Sequence, residues 1–295
     1  MATGTTQQHP AHGADESHDA QRQRDEAALK RRMADISHKL LVLSGKGGVG
    51  KSTVAANLAV ALWLRGNHVG LLDVDVHGPS IPKLMGLDPG DVQIVDGELI
   101  PVRVGDNLSV MSIGFLLPKT SDAVIWRGPK KHGVIRQFLQ DVAWGPLDYL
   151  VVDSPPGTGD EPLSVAQLVG PGAEALLVTT PQQVATADVR RCVTFCRQLA
   201  LPILGILENM SGFCCPSCGE HFDLFKQGGG SDLALEVKVP FLGRIPIDPE
   251  IVIAGDEGVP ILPESPPSPA TRALLEVVDE IVEAHAAAAA ETAST

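Results

Sequence analysis

A glycine-rich loop between an apolar run and a helix-forming segment constrains the fold of this chain most strongly. The run Leu40–Leu43 is β-prone, and a segment rich in Ala, Leu and Val follows the loop. Gly45, four further residues and Gly50-Lys51-Ser52 fit the pattern of a phosphate-binding loop. Glycines allow successive backbone N–H groups to surround an anion, and the helix that starts near Gly50 adds its positive dipole end. The pattern predicts that phosphate binds at Gly45, Lys46, Gly47, Gly48, Val49, Gly50, Lys51, Ser52 and Thr53.

Two side chains of this loop indicate that it binds a nucleotide and Mg²⁺. The Lys51 ammonium can neutralise the β- and γ-phosphates of a nucleotide, and the Ser52 hydroxyl can hold Mg²⁺. The strand–loop–helix setting is the one in which this pattern binds nucleotides. We therefore expect ATP and Mg²⁺ as cofactors, with Lys51 in the catalytic set.

Seven apolar runs predict the strands of one sheet: Leu40–Ser44, Val69–Asp73, Leu108–Ile113, Tyr149–Asp153, Ala175–Thr180, Ile203–Glu208 and Phe241–Ile245. Most of these runs are continuously apolar, which is typical of parallel strands covered on both faces. Helical patterns follow several of them: Lys51–Arg65, Pro129–Val142, Ala187–Leu199, Ser231–Glu236 and Ala270–Ala284. The sequence thus predicts a doubly wound α/β fold, a mostly parallel sheet with helices on both faces and ligands beyond the carboxyl ends of its strands.

The domain organisation follows from where the apolar pattern starts and stops. Residues 1–36 are polar, so we expect a disordered tail whose later part, from Gln21 to Met33, is a frayed charged helix. Residues 37–285 are predicted to form a single ATPase domain, with a Cys-x-x-Cys insertion near 211–222. Pro263 to Pro269 is a proline-rich connector into the last helix, and 286–295 is predicted to be a frayed alanine-rich tail.

Charge and composition narrow the choice of partner and compartment. The 295 residues carry a formal net charge of −13 and only 4% aromatic side chains, which argues against nucleic acid or an anionic membrane as the main partner. Neither a secretory signal nor an apolar run of ~18 residues is found. We therefore expect a cytoplasmic protein whose five cysteines are metal ligands or buried thiols rather than a disulfide framework.

Three aspartates follow buried strands at the edge where the phosphate loop is expected. Asp153 ends one apolar run and is predicted to hold Mg²⁺, through a water molecule. Asp73 and Asp75 lie at the end of another run. Phosphoryl transfer needs an oriented water and charge neutralisation, and Asp75 is our candidate to orient that water, with Asp73 as a close rival.

Cys215 and Cys218 form a Cys-x-x-Cys pair in the segment Phe213–Gly219. Two thiolates at this spacing can bind one soft metal centre, but a tetrahedral site or a cubane needs four. A two-fold dimer supplies the second pair, which links metal binding to dimerisation. A redox pair and a structural zinc site across the dimer remain alternatives. Cys192 and Cys196 lie four apart on a predicted helix and are expected to be buried thiols.

Several motifs together resemble the Mrp/ApbC family of iron–sulfur cluster carrier ATPases. They are Gly45–Thr53, Asp73–Ser80 with Ile81-Pro82, Trp126–Pro129, Asp153–Asp160, Thr180–Gln183, Glu208–Ser211 and the cysteine segment. The resemblance spans residues 38 to 265. It implies an ATP-dependent homodimer that carries a [4Fe–4S] cluster and passes it to apo iron–sulfur proteins.

The resemblance also implies roles for individual residues. Lys46 matches the additional loop lysine of the MinD/ParA/nitrogenase iron protein class, which reaches across the dimer to the partner's nucleotide. Asn209 matches the residue that recognises adenine, and Pro246 and Asp248 lie in a segment that resembles the loop flanking the base. Cys214 departs from the family pattern, so the choice between Cys214 and Cys215 as the ligand remains open, although Cys215 keeps the family spacing.

The main rival is a MinD/ParA-like positioning ATPase with a structural zinc site across the dimer. Membrane anchoring in that class uses a basic amphipathic helix. The last predicted helix here contains Glu276, Asp279, Glu280 and Glu283 against Arg272 alone, which argues against an anchor. A reductase like the nitrogenase iron protein is a second rival, but its cluster cysteines are single residues in two separate segments. Under the carrier hypothesis, ATP shifts the dimer geometry and with it the spacing of the paired cysteines.

Overall fold

The computed structural model describes residues 13–116, 128–215, 217–260 and 267–293. Its strands are β1 Ile36–Ser44, β2 Val69–Asp73, β3 Gln93–Val95, β4 Glu98–Ile100, β5 Val102–Arg103, β6 Leu108–Ser112, β7 Leu147–Asp153, β8 Ala173–Thr179, β9 Ile203–Cys214, β10 His221–Phe222 and β11 Phe241–Ile247. Its helices are α1 Gly13–Ala34, α2 Lys51–Leu64, α3 Ile81–Leu84, α4 Gly128–Asp141, α5 Asp160–Val169, α6 Gln183–Gln198, α7 Gly229–Val237, α8 Pro249–Glu257 and α9 Pro269–Ala293.

Nine of these strands form one sheet in the order β10-β9-β8-β1-β7-β2-β6-β5, with β11 paired to β9. Every pairing is parallel except those of β5 with β6 and of β10 with β9. The strands β3 and β4 form a separate antiparallel hairpin. The predicted doubly wound, mostly parallel sheet is therefore confirmed, and β1 lies in its middle, between β7 and β8.

The core has two halves, one on each face of the sheet. Leu41 and Leu43 of β1 pack with residues of α4, α5, α6 and α7, whereas Leu40 and Val42 pack with residues of α2 and α9. Successive side chains of a strand point to opposite faces, so a continuous apolar run fills both halves at once. Full burial of each such leucine contributes roughly 1.5–3 kcal/mol. This double burial fixes β1, and with it the loop that follows Ser44.

All seven predicted strands and all five predicted helices are present, with boundaries that differ by a few residues. Three helices were not predicted. Helix α3 has four residues, α5 contains Pro162 and α8 contains Gly255, so the apolar period is short or interrupted in each. Trp126 and Arg127 of the family motif lie outside the described residues, as do residues 1–12 of the polar tail and residues 263–266 of the connector.

Both termini are more helical than the sequence predicts. Helix α1 covers most of the segment expected to be disordered, and it buries Leu29 and Met33. These side chains are four residues apart and therefore lie on one helical face, and α1 packs against α4 and β1. At the other end, α9 continues to Ala293, past the predicted end at Ala284. None of the helices in the described part of the chain combines the length and the apolar character that a membrane span requires.

Candidate functional site

The phosphate loop joins β1 to α2 at the carboxyl edge of the sheet. Gly48 and Gly50 adopt φ angles of +80° and +79°, which other residues rarely adopt. A Cβ at Gly45 would lie 2.5 Å from backbone and side-chain atoms of Asp188. The backbone path of this loop therefore requires glycine at these three positions. Helix α2 begins directly at Lys51, so its N-terminal N–H groups face the same space.

Lys51 reaches Asp153, which ends β7, and Asp75, which lies two residues beyond the end of the neighbouring strand β2. Its Nζ lies 2.5 Å from Oδ1 of Asp153 and 3.8 Å from Oδ2 of Asp75. Strands β2 and β7 pair in parallel with Asp73 opposite Asp153, so their carboxyl ends meet beside the loop. The ammonium and both Asp73 and Asp153 are buried. The structure thus brings the predicted lysine and aspartates together in one low-dielectric pocket.

Asp153 has the surroundings of a metal-holding carboxylate. Burial raises its pKa, whereas the Lys51 charge and hydrogen bonds from Lys51 and Ser52 lower it. Its second oxygen, Oδ2, is buried and has no hydrogen-bond partner among the described residues. A buried carboxylate oxygen next to a hydroxyl is the hard oxygen donor set that Mg²⁺ prefers. Asp153 and Ser52 therefore fit the predicted magnesium site.

Asp73 and Asp75 have different environments. Asp73 is completely buried and accepts hydrogen bonds from the Ser112 hydroxyl at 2.9 Å and from the Asp75 and Ile81 amides at 3.0 and 3.3 Å. Burial, with the nearby Asp153 charge, raises its pKa to about 8. Asp75 instead directs Oδ2 towards Lys51 and accepts from the His77 amide through Oδ1 at 3.2 Å. Asp73 thus organises the loop after β2, whereas Asp75 faces the phosphate site.

A cavity of about 410 Å³ adjoins the phosphate loop, a volume in the range of small-molecule sites. Its walls include Gly50 and Thr53 of the loop and helix α2, Asn209 of β9, and Pro246 and Asp248 at the end of β11. The sequence missed part of this wall, because Ile251 and Val252 belong to the unpredicted helix α8.

Asn209 and Asp248 are held by the backbone next to this cavity. The Asn209 amide donates to the Val49 carbonyl at 2.9 Å, and a Cβ on Gly50 would collide with the same amide nitrogen. Asp248 caps α8 by accepting from the Glu250 amide at 3.0 Å, while its Oδ2 is buried without a partner among the described residues. The side-chain oxygen Oδ1 of Asn209 accepts no hydrogen bond from the described residues, so it can accept one from a ligand.

Lys46 contributes a cation on the outer side of the loop. Its side chain is partly exposed and makes no ion pair with any residue in the described ranges. Its backbone carbonyl accepts from the Ser44 hydroxyl at 3.0 Å, which fixes the start of the loop. A single chain does not test the predicted contact across a dimer, and this role stays a prediction.

The Cys-x-x-Cys pair lies in the turn between β9 and β10. The turn is closed by hydrogen bonds from the Cys215 amide to the Glu220 carbonyl at 2.9 Å and from the Gly219 amide to the Cys215 carbonyl at 2.8 Å. Backbone N–H groups of Cys218 and Ser217 point at the Cys215 sulfur and lower its pKa. Such N–H groups stabilise a thiolate, the form that binds metals.

The remaining cysteines differ from this pair. The Cys214 thiol donates to the Gly219 carbonyl over 3.7 Å, so it faces the inside of the hairpin, whereas Cys218 is exposed. Cys192 and Cys196 are buried in α6, and burial raises the pKa of each to about 12. The predicted buried thiols of α6 are thus confirmed, and they stay protonated at neutral pH.

Strand β9 joins the two halves of the candidate site. It holds Asn209 beside the phosphate loop and ends at Cys214, where the cysteine turn starts. Glu208, fully buried, accepts from the Ser211 hydroxyl at 2.5 Å and from the Gly228 amide at 3.0 Å. Sequence reasoning gave Glu208 no role, although a carboxylate inside an apolar strand is itself a signal of a buried polar network.

The comparison with known proteins places this architecture in a family. A family model, ParA, described as NUBPL iron-transfer P-loop NTPase, matches residues 35–282. The chain belongs to this family. It is therefore a P-loop NTPase of the ParA/MinD type, and its predicted ATPase class is confirmed.

Relatives of this ParA-family NTPase cover most of its length. It is 49% identical over 260 residues to the cytosolic Fe-S cluster assembly factor NUBP2 of Gallus gallus, covering 87% of this chain and 96% of that protein. It is 49% identical to the iron-sulfur cluster carrier protein of Methanocaldococcus jannaschii, over 80% and 82% of the two chains. The nucleotide-binding protein of Archaeoglobus fulgidus in complex with ADP aligns at 45% identity with a TM-score of 0.70, over 79% of this chain and 91% of that one.

Proposed function

We propose that this NTPase binds and slowly hydrolyses ATP while it carries a labile [4Fe–4S] cluster to apo iron–sulfur proteins in the cytosol. The observation that carries this proposal is the course of β9, which connects the cavity beside the phosphate loop to an exposed Cys-x-x-Cys turn with a thiolate-stabilising backbone. The names of the chicken and archaeal relatives support the cargo, and the chicken name supports the compartment.

The phosphate loop accounts for the ATPase half of the function. Its backbone amides and the Lys51 ammonium bind the β- and γ-phosphates. When ATP binds, Lys51 leaves its ion pair with Asp153 and contacts the phosphates instead. Ser52 and Asp153 would hold Mg²⁺, which would neutralise charge that develops on the phosphates. Asp75 orients the attacking water, because its Oδ2 lies 3.8 Å from the Lys51 ammonium that would bind the γ-phosphate.

The cavity beside the loop would hold the adenine base. The Asn209 amide donates to Val49, which leaves its carbonyl oxygen to accept from the exocyclic amino group of adenine. Pro246 and Asp248 line the same cavity and would contact the base there. Guanine presents an oxygen where adenine presents that amino group, so the same carbonyl would repel it.

The cysteine turn accounts for the cargo. Cys215 and Cys218 of one chain supply two thiolates, and an isologous two-fold dimer supplies the other two that a cubane requires. Lys46 reaches the nucleotide of the partner across the same two-fold interface. The exposure of Cys218 supports a cluster at a surface seam, which would suit transfer to a client protein.

Anaerobic reconstitution tests the proposal. Iron, sulfide and zinc are counted per chain, and visible absorption is recorded, for the wild type and for Cys214→Ala, Cys215→Ala and Cys218→Ala. We expect about two irons and two sulfides per chain, which equals one cubane per dimer, in the wild type and in Cys214→Ala. Cys215→Ala and Cys218→Ala should lose the cluster. Cys214→Ala is the matched control because it removes a thiol from the same turn.

Two results would contradict the proposal. Uptake of zinc alone, with no sulfide, would remove the carrier function and leave an ATPase with a structural metal. Equal cluster loading in all three cysteine variants would show that the cluster is bound elsewhere.

A further inference from the structure

Four polar side chains meet near the amino-terminal ends of the central strands, at the edge opposite the phosphate loop. His38 belongs to β1, Tyr149 to β7 and Glu174 to β8, and His285 reaches them from α9. His38 precedes Ser44 by six positions on the same strand, which separates this cluster from the loop by about 20 Å. The proposed ATPase and carrier functions do not involve these residues.

The ligand atoms of three of them are close together. One nitrogen each of His38 and His285 and a carboxylate oxygen of Glu174 all lie within 4.8 Å of one another. Nε2 of His285 is 2.8 Å from Oε2 of Glu174, and its Nδ1 is 3.2 Å from the Tyr149 hydroxyl. The two imidazole rings are stacked, with centroids 4.0 Å apart and planes 8° apart. His285 is buried, whereas His38 and Glu174 are partly exposed.

We propose that His38, Glu174 and His285 form a binding site for a divalent transition-metal ion of the zinc class. Two imidazoles and one carboxylate are a common zinc donor set, and a water molecule completes it. Zn–N bonds of about 2.0–2.1 Å bring ligand atoms to roughly 3–3.5 Å from each other. A metal ion lies in the plane of each imidazole that binds it, so His38 must turn out of the stack, and its partial exposure leaves it room to do so.

The surroundings prepare these side chains for a metal. Nε2 of His285 faces Glu174 and its Nδ1 faces the Tyr149 hydroxyl, so a metal ion would replace the proton between Nε2 and the Glu174 carboxylate, and that proton would be released to solvent. Burial raises the pKa of Tyr149 to about 12, so its hydroxyl stays protonated. Tyr149 is then the outer partner that accepts from Nδ1–H of His285 and orients its ring.

A metal ion at this position would fasten α9 to β1 and β8. The opposite end of α9 supplies Ala270, Thr271 and Leu274 to the wall of the cavity beside the phosphate loop. The ion would therefore restrain the helix that forms part of that wall. It would be a structural metal ion and take no part in hydrolysis.

Binding of Co²⁺ tests the site, because Co²⁺ occupies zinc sites and its visible absorption reports a four- or five-coordinate ligand field. The parent is the full chain in which the cysteines of the turn and the histidines near the amino terminus are replaced, by alanine at Cys214, Cys215 and Cys218 and by glutamine at His9, His12 and His18. We expect about one Co²⁺ per parent chain. Glu174→Gln and His38→Ala should each weaken binding at least about tenfold, and Tyr149→Phe about 10–100-fold.

His68→Ala is the matched control, since its imidazole is exposed and lies outside the cluster. It should bind Co²⁺ as the parent does. Zn²⁺ should also raise the Tm of the parent and leave that of His38→Ala unchanged. Circular dichroism without metal establishes that the variants are folded, and Glu174→Gln keeps the test valid if His38→Ala unfolds. Absence of Co²⁺ binding by the parent, or binding that is equal in the parent, Glu174→Gln and His38→Ala, overturns the proposal.

Discussion

Asp73 and Asp75 are two positions apart in the chain but have different chemistry. Asp73 is enclosed by Ser112 and two backbone amides, and its pKa is raised to about 8 because it is buried next to Asp153. Asp75 keeps one oxygen directed at Lys51. Asp75 accepts fewer hydrogen bonds from the protein than Asp73 does, so it is the side chain better placed to orient a water molecule.

The raised pKa of Asp73 predicts how stability depends on pH. The folded protein holds a proton on Asp73 up to about pH 8, whereas the unfolded chain releases it near pH 3.8. The native state then binds more protons, so this contribution is complete below pH 3.8 and is lost as pH rises through 8. Between pH 6.5 and 8, the free energy of unfolding of the nucleotide-free protein should fall by up to about 1.4 kcal/mol per pH unit.

Asp73→Asn should remove most of this slope, because the amide mimics the protonated acid. Urea unfolding at a series of pH values measures it. Asp106→Asn, at an exposed position, is the control and should keep the wild-type slope. A slope that is equal in Asp73→Asn and the wild type would mean that Asp73 is ionised in the native state.

Asn209→Ala should reduce the discrimination between ATP and GTP. The variant loses the side-chain oxygen that we assign to the amino group of adenine, and a single hydrogen bond of this kind contributes about 0.5–1.5 kcal/mol. The ratio of the ATP to the GTP dissociation constants should therefore change by about 2–10-fold, mostly through weaker ATP binding. Isothermal titration of Mg-nucleotides measures both constants. An unchanged ratio would remove Asn209 from the base site.

Among the helices and strands, the sequence predicts best the strands that are buried on both faces of the sheet. The strands around β1 are continuous apolar runs, and the Gly45–Thr53 pattern fixes where β1 ends and α2 begins. The aspartates of the site follow directly, since Asp73 and Asp153 end two of these strands and Asp75 lies two residues beyond Asp73. Strong local patterns thus determine the phosphate half of the site.

Elements with weak local patterns could not be predicted. The two strands β5 and β10 have two residues each, and α8 has no buried residue, so no period is long enough to recognise. Helix α1 is charged along most of its length, and only two side chains, Leu29 and Met33, are known to be buried. Its stability comes from tertiary contacts, such as the hydrogen bond from Arg32 to the Val142 carbonyl, which composition does not reveal.

The docking of α1 gives a test at this scale. Leu29→Ala and Met33→Ala should each destabilise the protein by about 2–4 kcal/mol, because each leaves a cavity between α1 and the sheet. Arg24→Ala, on the exposed side of the same helix, should change stability by less than about 0.5 kcal/mol. Urea denaturation measures all three. If both apolar substitutions were as mild as Arg24→Ala, the segment would be a disordered tail, as its composition suggests.

At the scale of the whole molecule, the proposed site is incomplete in a single chain. Each chain presents two thiol ligands in one turn, Cys215 and Cys218, and a cubane needs four. Lys46 is partly exposed at the outer side of the phosphate loop and lacks an ionic partner among the residues that the structure describes. Pairing of two chains about a two-fold axis would supply both the second pair of thiolates and a partner for Lys46. ATP binding and cluster binding should then each favour the dimer, and by linkage each should strengthen the other.

Lys46→Ala tests this linkage. With Mg²⁺ and a non-hydrolysable ATP analogue, the wild type should sediment as a dimer, while Lys46→Ala should remain monomeric and bind the analogue with an affinity within about tenfold of wild type, since Lys51 still contacts the phosphates. Loss of a cation that reaches the reacting phosphate of the partner should lower kcat by about 10²–10³-fold. Lys30→Ala removes an exposed lysine of α1 and should behave as wild type. If Lys46→Ala dimerised and hydrolysed ATP like the wild type, Lys46 would be an ordinary loop cation. Any dependence of dimerisation on ATP would then come from other residues.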